Sequence, residues 1–279
     1  MKSLIKVACT FYGIGIAGLG IQQFIYSDFR PVILPPWPSW MHISGAGAWI
    51  SGALIVIAGI PIALMKKNHT TPLFLGGFLL ALFIIFQVPY VMFIQQYSPL
   101  NLGLWTDPLK EMALAGGAFV IAGLLKTRNL QHVKEPVFIT TLEKLIPAGR
   151  ILFSITMILF GIDHFLYTDF VTTLVPTWIP GPVFWTYFAA VALIGSGTAI
   201  ILKIKLKLVA QLLAAMLFLW LILLHIPRAI ADPHSGNGNE ITSVFEALAF
   251  SGISLAIACV GNKQQPVMDT LGKSGFYLS

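Results

Sequence analysis

Five ionisable side chains stand in stretches otherwise dominated by apolar residues: the adjacent Asp163 and His164, then His225, Arg228 and Glu246. A charged group in hydrocarbon is costly, so each needs a partner or a wet cavity. Asp163 or Glu246 could accept or relay a proton, and a histidine could titrate near neutrality. Arg228 could hold an anionic or carbonyl group through its planar fork of donors. The competing reading is structural: Asp163 or Glu246 pairs with Arg228 and closes a helix bundle, while the two histidines sit at a wet interface. No H-x-x-x-H or H-E-x-x-H spacing occurs, so no metal site is expected. Flavin, haem and iron–sulfur motifs are equally missing, and no covalently bound cofactor is expected.

The surroundings of these residues decide the class of protein. Of 279 residues, 57% are hydrophobic and 10% are charged, against roughly a quarter charged in a soluble domain. Such a surface excludes a cytosolic enzyme or a nucleic-acid-binding module, and nucleic acid is not an expected partner. Apolar runs long enough to cross a bilayer recur eight times, near residues 5–25, 43–65, 73–94, 111–125, 150–167, 183–202, 206–230 and 241–260. The fourth is the shortest and is open to extension through residues 105–110. The expected fold is all-α: a polytopic membrane protein in contact with the lipid bilayer, its eight transmembrane helices forming two parallel, pseudo-repeated four-helix bundles.

Charge sets the expected orientation. Lys2, Lys6, Lys66, Lys67, Lys126, Arg128, Lys134, Lys144, Arg150, Lys203, Lys205, Lys207, Lys263 and Lys273 fall on one side, leaving Arg30, Lys110 and Arg228 on the other. By the positive-inside rule, both termini are cytoplasmic and the protein lies in the inner (plasma) membrane. The first apolar run follows a short basic stretch but lacks a small-residue cleavage site, so it reads as a retained helix. Cys9 and Cys259 form no C-x-x-C pair and read as small buried apolar side chains.

The two halves resemble each other. At a shift of 141, Ile14, Gly20, Ile21, Phe24, Tyr26, Asp28, Phe29, Pro35 and Trp37 are identical to Ile155, Gly161, Ile162, Phe165, Tyr167, Asp169, Phe170, Pro176 and Trp178. Gln87-Val88-Pro89 aligns with His225-Ile226-Pro227, and Glu111 with Glu246. This predicts repeats at 1–130 and 131–279, joined by a hydrophilic linker at 126–144. Shared features read as scaffold. Ser27-Asp28 and Thr168-Asp169 suit helix N-capping, the Trp-Pro loops suit interfacial anchoring, and Pro89 and Pro227 suit kinks or ends of spans. The ionisable groups are one-sided: Asp163-His164 replaces Gln22-Gln23, His225 replaces Gln87 and Arg228 replaces Tyr90. The first half is therefore expected to be mainly structural and the second to carry an outward-facing polar pocket. At 1.5 Å per residue, Asp163, His225 and Glu246 all fall in the outward third of a core about 30 Å thick. Residues 234–239 read as a flexible outer loop.

Several runs in the second half resemble the DoxX-like family of small four-helix membrane proteins, here in tandem form. These are Gly161-Ile162-Asp163-His164-Phe165, Pro176-Thr177-Trp178-Ile179-Pro180, Leu224-His225-Ile226-Pro227-Arg228 and Phe245-Glu246-Ala247-Leu248-Ala249. The first half is similar in layout but departs at the ionisable positions. The family's name comes from a subunit of a thiosulfate:quinone oxidoreductase, so the resemblance implies a link to membrane redox systems. The function expected on that ground is an auxiliary component with quinone as apolar ligand and a redox partner subunit. The alternatives are a proton-coupled transporter or permease for a small solute, and a ligand-free structural or assembly protein.

Overall fold

The computed structural model describes residues 2–36, 45–66, 68–126 and 136–260. Trp37, Trp40, Lys67, Arg128, Lys134, Lys263 and Lys273, together with residues 127–135 of the expected linker, lie outside them. Among the described residues every regular element is helical, and eight helices are long and apolar enough to cross a membrane. They are α1 (Lys2–Tyr26), α2 (Gly45–Ala63), α3 (Thr70–Ile94), α4 (Leu102–Leu125), α5 (Ile146–Leu166), α6 (Pro182–Ile201), α7 (Leu206–Ala231) and α8 (Ser235–Val260). In lipid a helix is the open-chain solution that satisfies every backbone group within its own segment, and the apolar runs of this chain are long enough to adopt it. Short helices Val137–Glu143 and Thr168–Leu174 flank α5.

The fourth span takes in the stretch by which it was open to extension. It begins at a 3-10 turn, Leu102–Trp105, where the Asn101 side chain accepts from the Gly103 amide at 3.1 Å. It then runs through Pro108, Lys110 and Glu111. A proline so near the helix start removes no needed hydrogen bond.

Pro89 and Pro227 do not end their spans. Each follows a π-helical turn, Phe83–Gln87 and Leu221–His225, and a second such turn, Tyr90–Ile94, follows Pro89. The Val88 and Ile226 amides bond back five residues, to the carbonyls of Phe83 and Leu221. A proline ring clashes with the carbonyl four residues before it, and the wider turn absorbs that clash. The result is that Gln87 and His225 are each the last residue of a widened turn.

The expected caps take another form. Ser27 ends α1 in a left-handed conformation (φ 52°), and Asp28 Oδ1 accepts from the Phe29 amide at 2.8 Å. Thr168 is already the first residue of its short helix, and its hydroxyl donates back to His164 O at 2.9 Å. At both places the local polar group finds a backbone partner before a new helix needs it.

Packing ties the two halves together. α1 packs on α2 and on α8, α5 on α6 and on α4, while α3 leans on α4 and α7 on α8. α4 and α8 meet in the middle and are the two most buried spans. The first helix of each half thus lies against the last helix of the other. One continuous apolar core includes Tyr12, Ile55, Leu79, Ala118, Phe153, Leu193, Leu217 and Ile253, drawn from both stretches. At the end carrying the exposed lysines, Glu143 pairs with Lys126 (2.7 Å) and His69 (3.2 Å).

Glycines set the closest crossings, because a missing Cβ lets two backbones meet. A Cβ on Gly20 of α1 would lie 2.7 Å from Gly52 O of α2, whereas one on Gly195 of α6 would meet nothing within 4 Å. Gly20→Val should therefore cost about 1–3 kcal/mol through overpacking. Gly195→Ala should leave thermal unfolding of the detergent-solubilised protein unchanged, and equal shifts for both would refute this crossing.

Candidate functional site

The charged groups gather at the end of the bundle where α1, α3, α5 and α7 finish. Lys110 of α4 places Nζ 3.1 Å from Glu246 Oε2 of α8 and 3.2 Å from Asp107 Oδ1 one turn away. Glu246 is 4% exposed, so this pair lies between the two central helices. Arg228, near the end of α7, grips the other acid of α8: Nε donates to Glu240 Oε2 at 2.9 Å, and Nη2 closes a second bond to Oε1. Its Nη1 also reaches Leu174 O at 3.4 Å.

Neither of the partners expected for Arg228 is the one it takes. The reason is depth: α7 and α8 are neighbours joined by a short connection, so the last turn of α7 faces the first turn of α8. Glu240 lies there, while Glu246 is six residues further along α8, roughly 9 Å deeper, at the level of Lys110. Lys110 and Glu240 are the members that sequence reasoning missed. Lys110 falls in the stretch by which the fourth span is open to extension, and its spacing from Asp107 is that of a helical ion pair.

His225 lies within electrostatic reach of Lys110, Glu240 and Arg228. Its Nδ1 is buried and has no hydrogen-bond partner. His164 is tied differently. Its Nδ1 lies 2.7 Å from Phe160 O, and its ring stacks on Trp220 of α7 at 6.3 Å between centroids and 20° between planes. A carbonyl can only accept, so Nδ1 carries the proton and a neutral ring leaves Nε2 as acceptor. Asp163, beside it on α5, makes no ion pair among the described residues, and its Oδ1 is buried without a hydrogen bond. The structure therefore joins Glu246 to Lys110, joins Arg228 to Glu240, sets His225 beside them, and leaves Asp163 outside both ion pairs.

The first half is polar as well, in a more enclosed way. Gln22 receives a hydrogen bond from Thr242 Oγ1 (3.1 Å) and donates to Gly238 O (3.3 Å). Arg30, 1% exposed, donates to Asn237 O at 2.6 Å and lies over the Tyr26 ring at 4.4 Å. Loss of hydration lowers its pKa, with Asp28 and then Tyr26 pulling the other way. The stretch expected as a flexible outer loop, residues 234–239, is thus pinned to the first half and begins α8. Gln23 and Glu111 are 0% exposed, and neither the amide of the one nor the carboxyl of the other has a hydrogen bond. Gln87 lies against Glu111, but its Nε2 is directed to Pro31 O at 2.8 Å.

Charge compensation is thus complete for Lys110, Arg228, Glu240 and Glu246. Among the described residues at this end of the second half, the atoms left with capacity toward a ligand are His225 Nδ1, Asp163 Oδ1, His164 Nε2 and the second oxygen of Glu246, Oε1. Among the described residues, no three His, Cys, Asp or Glu side chains are placed to share a metal ion.

Residues 145–226 match the DoxX family. The matched stretch contains Asp163, His164, Trp220 and His225, and stops short of Arg228, Glu240 and Glu246. No curated protein and no solved structure matches the chain.

Removing one partner of a buried ion pair strands the other, at about 3–5 kcal/mol. Lys110→Met should therefore destabilise the protein by about that much, and Glu246→Gln on top of it should restore most of the loss, because a neutral pair needs no compensation. Thermal unfolding of the three variants in detergent checks this, and losses that simply add would show the pair to be uncoupled.

Proposed function

We propose that this chain is an auxiliary, non-catalytic component of a quinone-linked membrane redox system, and that its second half holds a quinone head in a polar pocket. One observation carries the reading: within the DoxX-matched stretch, two buried polar atoms, His225 Nδ1 and Asp163 Oδ1, have no hydrogen-bond partner among the described residues. Buried polar groups are nearly always hydrogen-bonded, so two such groups in one layer call for an occupant. The residues suit a quinone. His225 can donate to a carbonyl oxygen, the stacked His164 and Trp220 offer a flat aromatic wall, and the surrounding apolar helices suit an isoprenoid tail. A bound quinone would supply two-electron, two-proton chemistry. This chain would orient the head through His225, hold or pass a proton at Asp163 or His164 Nε2, and keep Arg228 and Lys110 neutralised so that neither competes for the ligand. A partner subunit would supply the redox centre.

The same reading places both termini on the cytoplasmic side of the inner membrane. Lys2, Lys6, Lys66, Lys126, Lys144, Lys203, Lys205 and Lys207 are exposed, whereas Arg30, Lys110 and Arg228 are all engaged internally. It also takes the halves as a duplication, supported by the identities between them and by the π-helical turns that end on Gln87 and His225.

Purification from native membranes with quinone assayed in the extract is the direct test. His225→Leu should lower the quinone retained by roughly tenfold, the equivalent of one lost hydrogen bond to the ligand. Asp169→Asn, on the exposed turn after α5, should retain as much as the unaltered protein. Quinone-free preparations that drive solute flux in sealed vesicles would replace this reading with that of a proton-coupled transporter.

A further inference from the structure

After α1, residues 30–34 turn back into the bundle instead of running over its surface: Val32 is 1% exposed, Ile33 0% and Leu34 6%. The amides of Ile33 and Leu34 fold onto Arg30 O at 2.8 and 3.0 Å. Three contacts hold the segment in place. Gln87 Nε2 donates to Pro31 O (2.8 Å), Arg30 Nη1 donates to Asn237 O (2.6 Å), and the Arg30 guanidinium lies over Tyr26. A connecting segment normally stays on the surface because its backbone groups need water. This one carries a charged side chain and three large apolar ones into the interior.

The second half has no such insertion. Its residues 171–175, at the same shift of 141, belong mostly to the short helix Thr168–Leu174, and none of them is buried. Yet Gln87 and His225 are presented alike, each closing a five-residue π-helical turn two residues before a proline. In the first half that side chain holds a backbone carbonyl; in the second its Nδ1 holds nothing.

We infer that the first half contains a second copy of the ligand cleft, occupied by residues 30–34 as a tethered internal ligand. The Pro31 carbonyl takes the place of a ligand's head oxygen, and Val32, Ile33 and Leu34 that of its aliphatic chain. The external ligand this cleft would admit is an uncharged amphiphile with a carbonyl head, a class that rests on the quinone reading; the plug itself does not. Behind the plug, one side chain away through Gln87, lies the fully buried carboxyl of Glu111. Displacing residues 30–34 opens a route to that acid.

Dicyclohexylcarbodiimide, an apolar reagent whose C=N bond adds a carboxylic O–H to give an O-acylisourea that rearranges by acyl migration to a stable N-acylurea, tests this on the 279-residue chain with mass-spectrometric mapping. Glu111 should stay unmodified in the unaltered chain. Its labelling should rise roughly tenfold or more in Arg30→Ala, which removes a charge-assisted hydrogen bond from the closed form, and also in Gln87→Met. Equal labelling before and after substitution, or none in a variant that elutes as a folded species, overturns the plug. Hydrogen exchange on the unaltered chain gives a second answer. The Ile33 and Leu34 amides should exchange as slowly as the interior of α4, and rates like those of the exposed turn at residues 98–100 would overturn the plug independently. A decyl-tailed benzoquinone then separates the two readings. Two bound per Arg30→Ala chain against one per unaltered chain supports both. No binding to either, with Glu111 labelling as expected, overturns the quinone reading and upholds the plug.

Discussion

A charge that leaves water must be compensated where it lands, and this requirement organises the whole of one end of the molecule. Three basic residues depart from the one-sided distribution of the rest, and each meets a different answer. Lys110 sits between two carboxylates, Arg228 takes a two-pronged grip on Glu240, and Arg30 relies on a backbone carbonyl and an aromatic face. The partners come from helices distant in sequence, so the same bonds that neutralise charge also fix which helices are neighbours. Lys110 and Glu246 lock the two central spans, and Arg30 with Asn237 locks the first connection to the last helix. Net stabilisation from such pairs is modest, since desolvation offsets much of the attraction. Their stronger effect is to make any other arrangement of the helices costly.

With the ions accounted for, the chemistry available to a ligand narrows to neutral hydrogen bonding. His225, lifted out of regular helix by a π-helical turn, directs an unpartnered nitrogen inward, and such turns recur at functional sites. Glu111 and Glu246 occupy aligned positions in the two halves but differ completely in company. One lies at 0% exposure beside the neutral amide of Gln87, and the other is paired with the lysine that precedes its counterpart in the chain. The first half thus lends its own base to the second half's acid.

How much of this was legible in the sequence depends on the range of the interaction concerned. Hydropathy is a local property, and the eight spans were readable because each declares itself in about twenty successive residues. Asp163, His164, His225, Arg228 and Glu246 stood out for the same reason, as polar exceptions within apolar runs. The pairing among them was not readable, because it depends on which faces of which helices meet. Glu240 stands one residue before the apolar run of its span and Lys110 one residue before its own, so neither is marked as an inward-facing group by hydropathy, and nothing local marks residues 30–34 as entering the bundle. The π-helical turns were hinted at only by Pro89 and Pro227, and proline specifies that a helix must adjust without saying how.

The packing of α1 on α8, and of α5 on α4, has a bearing on how the molecule is made. A chain emerging at roughly 5–20 residues per second delivers its first span long before the last exists to receive it. Until then the Tyr12 face of α1, with its buried Gln22 and Gln23, must remain among lipids or temporary neighbours, and Arg30 has no Asn237 to hold. These contacts therefore wait for α8, which packs against helices made early and late in synthesis and ties them together. Cut between the halves, neither fragment would possess the surface against which its own leading helix belongs, and each would have to find it in the other.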